Sequence, residues 1–441
     1  MPQDIIIGRD PGDKKIFGDE GLIYLGKHYV KMGQLTSLSN RVMLDVARSH
    51  VVLVSGKRGS GKSYSLGVIA EEITNLPSEV SQNISVLIFD TMGVFWTMAY
   101  KNEKEADLRK EWNVEAKTLP MQTLVPFGYF EQFKEKGIPA DKPFALKVSE
   151  ITADDWIVTF NLDFISPIAI AIERAVTKLR EAFEENEKEF DLNDIITAIK
   201  LDTNSTQENK NAATNLLEGA QTWGLFASKK EKGTTVADII KAGTTTVLDL
   251  SVYSSIGSFN VRALVIGLLS KKIFNERMSA RKTEEVQAVQ HGLDYLYYKE
   301  KREMPMVWIL IDEAHEFLPL NGKTPATDAL IQLLREGRQP GISMALATQQ
   351  PGQIHRDVMT QSDVVISHRV TAKPDVDALN YIMQSYLFSD IKTQLDNLPR
   401  LKGSAIILDD NSEKIYAMRV RPRFTWHGGE APTAIKVKKR L

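Results

Sequence analysis

The run His50-Val51-Val52-Leu53-Val54-Ser55-Gly56-Lys57-Arg58-Gly59-Ser60-Gly61-Lys62-Ser63 decides the fold class. Its apolar first half reads as a buried strand. The glycine-rich second half spells G-x-x-x-x-G-K-S, and a helix-like stretch from Tyr64 to Thr74 follows. Strand, turn and helix in that order make a phosphate-binding loop. Gly56, Gly59, Ser60 and Gly61 let several backbone N–H groups turn inward, and the helix N-terminus adds positive potential. Lys62 then reaches the β- and γ-phosphates and Ser63 ligates Mg²⁺, so ATP and Mg²⁺ are the expected ligands.

Composition bounds the alternatives. A chain of 441 residues, 43% apolar and 25% charged, has the make-up of a soluble globular protein with more than one unit. A net charge of −2 argues against indiscriminate coating of nucleic acid. It leaves room for DNA in a local basic channel, because the field that acts is local. The absence of cysteine excludes disulfides and thiolate metal sites and fits a cytoplasmic setting. Met1-Pro2-Gln3-Asp4 does not open a secretory signal, and no apolar run approaches the ~18 residues that span a bilayer. A protein without a membrane segment is expected.

Residues 1–45 carry short apolar clusters broken by Gly and Asp, which predict an N-terminal β segment of two or three short strands. Residues 46–150 begin a βαβ pattern, in which Ser85–Asp90 is a strand buried on both faces. Asp90 ends it at the carboxyl edge, where open α/β sheets hold ligands. Residues 151–243 change character. Ser166-Pro167 caps a helix with Ile168, Ile172, Val176, Leu179 and Phe183 on one face, and Asp191 opens a second. With helices near Ala212–Ala220 and Val236–Ala242, this region reads as a helical insertion. The sheet resumes over 244–421 with strands at Thr244–Leu250, Met306–Ile311, Ile342–Thr348 and Asp363–Arg369. A hairpin over Leu401–Arg421 turns at Asp409-Asp410-Asn411. Glu276–Gln290 reads as a solvated helix. Residues 422–441 form a tail, ending in Lys436, Lys438, Lys439 and Arg440, that is expected on a surface or on a neighbour.

The strand Met306–Ile311 ends in Asp312-Glu313. Asp312 is placed to hold the Mg²⁺ water shell, and Glu313 to orient and deprotonate the attacking water. One strand later, Gln349 can reach the γ-phosphate or that water; Gln350 precedes Pro351 and begins a turn. Between the two lies a helix capped by Thr324-Pro325 and ending at Arg335-Glu336-Gly337-Arg338. Arg338, just past a helix stop, suits an arginine finger into a neighbouring subunit. Pairing with Glu336 or capping of carbonyls stays open beside that reading. His315 and His355 carry no assigned role.

Asp312-Glu313-Ala314-His315 also spells the box of helicases built from two tandem lobes. The chain ends at Leu441, too soon after Asp312 for a second full lobe. The missing half is therefore expected from another copy of the chain, in a ring. The chain resembles the HerA/FtsK superfamily of hexameric DNA-pumping ATPases, the HerA branch in particular. The resemblance rests on residues 56–63, Ile311–His315, Glu336-Gly337-Arg338, Ala347–Pro351, and Arg421-Pro422-Arg423 with His427-Gly428-Gly429. It implies a RecA-like, additional-strand core with a helical insertion and a homohexamer around double-stranded DNA. It also implies ATP sites at subunit interfaces, a trans-acting Arg338, and a second arginine matched by Arg48 or His50.

Two departures stand out. Residues 1–45 are far shorter than the β-barrel with which HerA proteins dock nucleases, and Met92-Gly93-Val94-Phe95 replaces a His-Gly-Glu-like turn. The leading expectation is an ATPase that translocates on duplex DNA, with or without unwinding it, and has a nuclease or defence effector as partner. The alternatives are a nucleotide-gated scaffold for such an effector and a coupling or packaging ATPase. DNA contacts are expected on Ser251–Asn260 with Arg262 and on the turn after Asp90, through phosphates rather than bases.

Overall fold

The computed structural model describes residues 4–32, 35–254, 260–291, 304–383 and 391–430. Thirteen strands form one sheet: β1 (Ile5–Ile7), β2 (Leu22–Met32), β3 (Leu35–Asp45), β4 (Val51–Ser55), β5 (Ile84–Asp90), β6 (Met121–Pro126), β7 (Lys142–Phe144), β8 (Thr245–Asp249), β9 (Met306–Ile311), β10 (Ile342–Thr348), β11 (Val364–His368), β12 (Ser404–Asp409) and β13 (Lys414–Val420). Their order is β1-β3-β2-β13-β12-β11-β4-β10-β9-β5-β8-β6-β7. From β11 to β7 every neighbouring pair is parallel. The fold is α/β with a RecA-like core. β10 is the additional strand, inserted between the phosphate-loop strand β4 and the acid-bearing strand β9.

Strands β5, β8 and β10 are buried along their whole length, as expected of central strands in a sheet covered on both faces. One face packs against α2 (Lys62–Thr74), through Leu66, Val68, Ile69 and Ile73. The other packs against a larger apolar cluster that joins the helices Pro167–Asn186, Leu192–Leu201 and Gln207–Gln221 to the 31-residue helix Val261–His291. Ser166 caps the first of these helices, and Asp191 caps the second in a capping box with Asp194.

Two local expectations are corrected. The N-terminal segment is not a set of short strands. It holds a helix, α1 (Pro11–Phe17), and an 11-residue pair, β2 and β3, that extends the common sheet. α1 buries none of its residues, so it left no apolar period to read. Gly26 lies within β2 at a register shift, where a Cβ would collide with the Arg419 carbonyl of β13. The charged stretch Glu276–Gln290 is helical and largely exposed, as expected, and forms the second half of the helix Val261–His291. The helix predicted from Thr324-Pro325 starts at Thr327, because Thr324 and Thr327 both bond the Phe317 carbonyl.

The start of the tail is also not on the surface. Arg421, Arg423 and Thr425 are fully buried against α2. Glu71 of α2 accepts from Arg421 Nη1 (2.8 Å), from the backbone N–H of Phe424 (2.8 Å) and from Thr425 Oγ1 (2.8 Å). Lys436, Lys438, Lys439 and Arg440 lie outside the described residues.

Candidate active site

The phosphate loop joins β4 to α2, and its shape depends on residues with no side chain to spare. A Cβ at Gly56 would collide with Ser60 Oγ and with His368 Cβ, and Gly61 caps α2 at φ +116°. The loop is clipped to its neighbours on both sides. Gly56 N–H donates to the Thr348 carbonyl of β10, and Lys57 N–H to the Arg369 carbonyl after β11. Lys62 is buried, its Nζ 3.4 Å from the Lys57 carbonyl. Burial holds its ammonium below the ordinary lysine pKa, while Glu313 and Asp312 pull the other way.

The structure brings the predicted acids to this loop. Ser63 Oγ donates to Asp312 Oδ2 at 2.5 Å. Asp312 is almost fully buried, which raises its pKa; the Ser63 bond opposes that shift and the Glu313 charge adds to it. A hydroxyl and a buried carboxylate meeting at the mouth of a phosphate loop are the donor set that Mg²⁺ takes with phosphate oxygens and water. The residues therefore fit the ion. Among the described residues no cluster of three His, Cys, Asp or Glu could hold a metal on its own.

Glu313 has φ +52°, a left-handed backbone that a glutamate adopts only under constraint. The turn aims its carboxylate towards β10. There Gln349 Nε2 donates to Glu313 Oε1, and Glu313 Oε2 is buried without a hydrogen-bond partner. His315 Nδ1 lies 3.2 Å from Thr348 Oγ1 and 3.6 Å from Glu313 Oε2. Gly56, Gly59, Ser60, Gly61, Lys62, Ser63, Asp312, Glu313 and Gln349 thus gather at the carboxyl edges of three adjacent strands, β4, β10 and β9.

Arg338 is elsewhere. It lies in the turn between the helix Thr327–Glu336 and β10, at the amino edge of the sheet. The seven residues of β10 span about 20 Å, far beyond the reach of a side chain towards the loop on the same chain. Arg338 is exposed, and among the described residues it forms no ion pair, with Glu336 or with any other carboxylate. Arg48 and His50 share that amino edge, and both are engaged. Arg48 pairs with Asp13 at 2.8 Å. His50 Nδ1 meets Asp363 Oδ2 at 2.6 Å.

The expected DNA-contact segments are partly described. Residues 255–259 lie outside the described residues, and Arg262 is paired with Glu316 at 2.8 Å. The turn after Asp90 is folded onto that carboxylate, which accepts from the N–H groups of Met92, Gly93 and Phe95. Asp249 sits beside it in register on β8. Burial, with the Asp249 charge, pushes the Asp90 pKa up to about 7.

His368, at the end of β11, escaped the sequence reading. Its ring is buried beneath the phosphate loop, against Gly56 and Gly61. Nδ1 faces the Ser404 carbonyl (3.1 Å) and Nε2 faces Ser65 Oγ (2.9 Å). A carbonyl only accepts, so Nδ1 carries the proton and Nε2 accepts from the serine. Burial lowers its pKa to about 4, and the ring is neutral. Nothing in its local sequence marks it, because the glycines it supports lie some three hundred residues away.

The model of the central domain of the helicase HerA matches residues 30–273, more than half of the chain. The chain belongs to the HerA family. Among curated HerA proteins, the DNA double-strand break repair helicase of Saccharolobus solfataricus is 22% identical over 400 residues, covering 88% of this chain and 67% of the relative. That of Pyrococcus furiosus is 24% identical over 184 residues, 38% of this chain and 31% of the relative. A probable counterpart in Methanocaldococcus jannaschii is 29% identical over 119 residues, 25% and 24% of the two chains. The HerA-family chain thus spans about a quarter and a third of the two shorter matches. Among solved structures, VirB4 of Thermoanaerobacter pseudethanolicus superposes with a TM-score of 0.53 at 12% identity, covering 92% of this chain and 97% of that one. The conjugative coupling protein TrwB gives 0.50 at 10% identity, covering 87% of each. These two likenesses concern the fold. Among the described residues no helix is long and apolar enough to cross a membrane.

Proposed function

We propose that this HerA-family chain hydrolyses ATP as one subunit of a hexameric ring that moves along double-stranded DNA in the cytoplasm. The observation that carries the reading is the separation of Arg338 from its own phosphate loop by the length of β10, while nine other predicted site residues converge at the opposite edge. Arg338 reaches that edge only from a neighbouring copy, so in this reading each site is shared between two subunits.

The chemistry follows from the side chains. The phosphates lie over the loop amides and Lys62, and Ser63 and Asp312 would hold Mg²⁺, which would supply charge neutralisation at the phosphates. A water positioned by Gln349 and Glu313 gives its proton to Glu313 as its oxygen bonds to the γ-phosphorus. The bond to the bridging oxygen breaks, and ADP keeps that electron pair. Glu313 Oε2, buried and without a partner, is the natural proton acceptor, because Gln349 already occupies Oε1. Arg338 of the neighbour and Lys62 take up the charge that develops on the transferred group.

The DNA reading draws on the helicase names of the curated relatives. A nuclease or other effector partner belongs to the same proposal. The test measures ATP hydrolysis with and without duplex DNA, and ring symmetry by electron microscopy. DNA-stimulated hydrolysis lost in Lys62→Ala and Glu313→Gln is expected. Hydrolysis by a monomer that ignores DNA would reject it.

A further inference from the structure

A cleft of about 210 Å³ opens beside the phosphate loop, between Lys57, Gly59 and Ser60 on one side and Arg369 and the segment 398–402 on the other. Strand order gives it a direction. The acids of the site come from β9, on the β10 side of the loop, whereas the cleft lies on the β11 and β12 side. A triphosphate whose γ-group faces Asp312 and Glu313 therefore runs its other end into this cleft.

The lining is unusual in what it holds and what it lacks. Lys57, Arg369, Arg400 and Lys402 bring four cationic side chains, and no carboxylate lines the cleft. Among the described residues Lys57, Arg369 and Arg400 form no ion pair. Leu398 and Pro399 form an apolar floor, and Leu401 stands beside them 52% exposed, an uncovered apolar side chain at the lip of a charged cleft. No lining side chain is a carboxylate or an amide that could accept the amino protons of adenine. Of the hydroxyls, Ser404 Oγ is taken by Tyr29 (2.8 Å), and Ser60 belongs to the loop itself.

We infer that this cleft receives the nucleoside end of a purine nucleoside triphosphate and holds the base by its flat face, between Leu401, Pro399 and the Arg400 guanidinium. The base is thus gripped but not read. Stacking and guanidinium contacts exploit a π-face that adenine and guanine share, whereas discrimination requires a side chain left unpaired by the wrong base. ATP and GTP are accepted nearly alike. The inference rests on the nucleotide reading above and adds where the base lies and how it is selected.

Equilibrium binding of ATP, GTP and inorganic tripolyphosphate to the full chain, with Mg²⁺, tests it in Leu401→Ser, Arg400→Gln and Lys62→Ala. Leu401 and Arg400 are exposed, so their variants are expected to fold. ATP and GTP should bind within about tenfold of each other. Leu401→Ser should weaken both by about fivefold to tenfold and leave tripolyphosphate unchanged. Arg400→Gln should weaken both nucleotides more than tripolyphosphate, and Lys62→Ala should weaken all three. Nucleotide affinity untouched by Leu401→Ser and Arg400→Gln, or GTP bound about a hundredfold more weakly than ATP, overturns the cleft while Lys62 sensitivity keeps the phosphate loop. Failure of all three ligands to bind, or indifference to Lys62→Ala, removes the nucleotide reading and the cleft with it.

Discussion

Gln349 at the end of β10 donates its amide N–H to one oxygen of Glu313 at the end of β9, and leaves the other carboxylate oxygen buried and unpaired. In the proposed mechanism the amide would select which oxygen faces the attacking water and keep the carboxylate from turning away. Glu313→Gln, which cannot take a proton, is expected to lower kcat by about 10²- to 10⁴-fold with ATP binding kept. Gln349→Ala is expected to cost less, about tenfold, because it frees a base without removing it. Single-turnover hydrolysis beside equilibrium ATP binding separates the two effects. Equal losses in binding and rate would contradict the assignment.

The amino-edge position of Arg338 makes a complementation test possible. Arg338→Ala alone and Lys62→Ala alone are each expected to lose about 10³-fold or more in hydrolysis. Mixed together, they should regain activity, because some interfaces then combine an intact Lys62 from one subunit with an intact Arg338 from the next. A mixture no more active than its components would show that the guanidinium does not act across an interface.

His50 should leave a mark on stability as a function of pH. Burial alone would lower its pKa, but its hydrogen bond to Asp363 and the Asp45 carboxylate 3.7 Å away outweigh that and push it up to about 9, against 6.5 for the free side chain. The folded state therefore holds the proton more tightly than the unfolded one. The stabilisation, about 3 kcal/mol, is complete below pH 6.5 and disappears as pH rises through 9. Thermal unfolding followed between pH 6 and 10 should fall along this curve in the native chain and run flatter in His50→Gln. Parallel curves would show that the imidazolium is not the group responsible.

Glu71 should be the costliest single change on α2. It is fully buried and compensates Arg421, also fully buried, while accepting from the Phe424 and Thr425 backbone. Glu71→Ala leaves the buried Arg423 without its carboxylate and Arg421 with Glu72 alone, and is expected to destabilise the chain by about 3–5 kcal/mol. Chemical denaturation measures the loss. Glu71→Gln, which keeps the acceptor but not the charge, should fall between the two. A cost below about 1 kcal/mol for Glu71→Ala would mean that water replaces the carboxylate.

The parts of this protein legible in its sequence are those whose chemistry is local. Val51–Ser55 with Gly56–Ser63 and Met306–Ile311 with Asp312-Glu313 each pair an apolar strand with the polar residues at its end, and contiguity carries the whole message. Gln349 could be proposed on the same ground, as a polar residue ending a buried strand. The pieces that resisted reading depend on partners distant in the chain. His368 is a strand residue until the loop glycines close over it. Arg421 and Arg423 look like the start of a basic tail until Glu71 neutralises them.

By itself the sequence determined the phosphate loop, its acids and the α/β alternation, because backbone conformation and hydrophobic period are set by neighbouring residues. Tertiary structure alone decided the strand order, and with it that β10 separates β4 from β9 and that Arg338 stands a strand length from Lys62. The reason is physical: which strand lies beside which depends on buried area and hydrogen bonds summed over the whole sheet, and no short segment contains that sum.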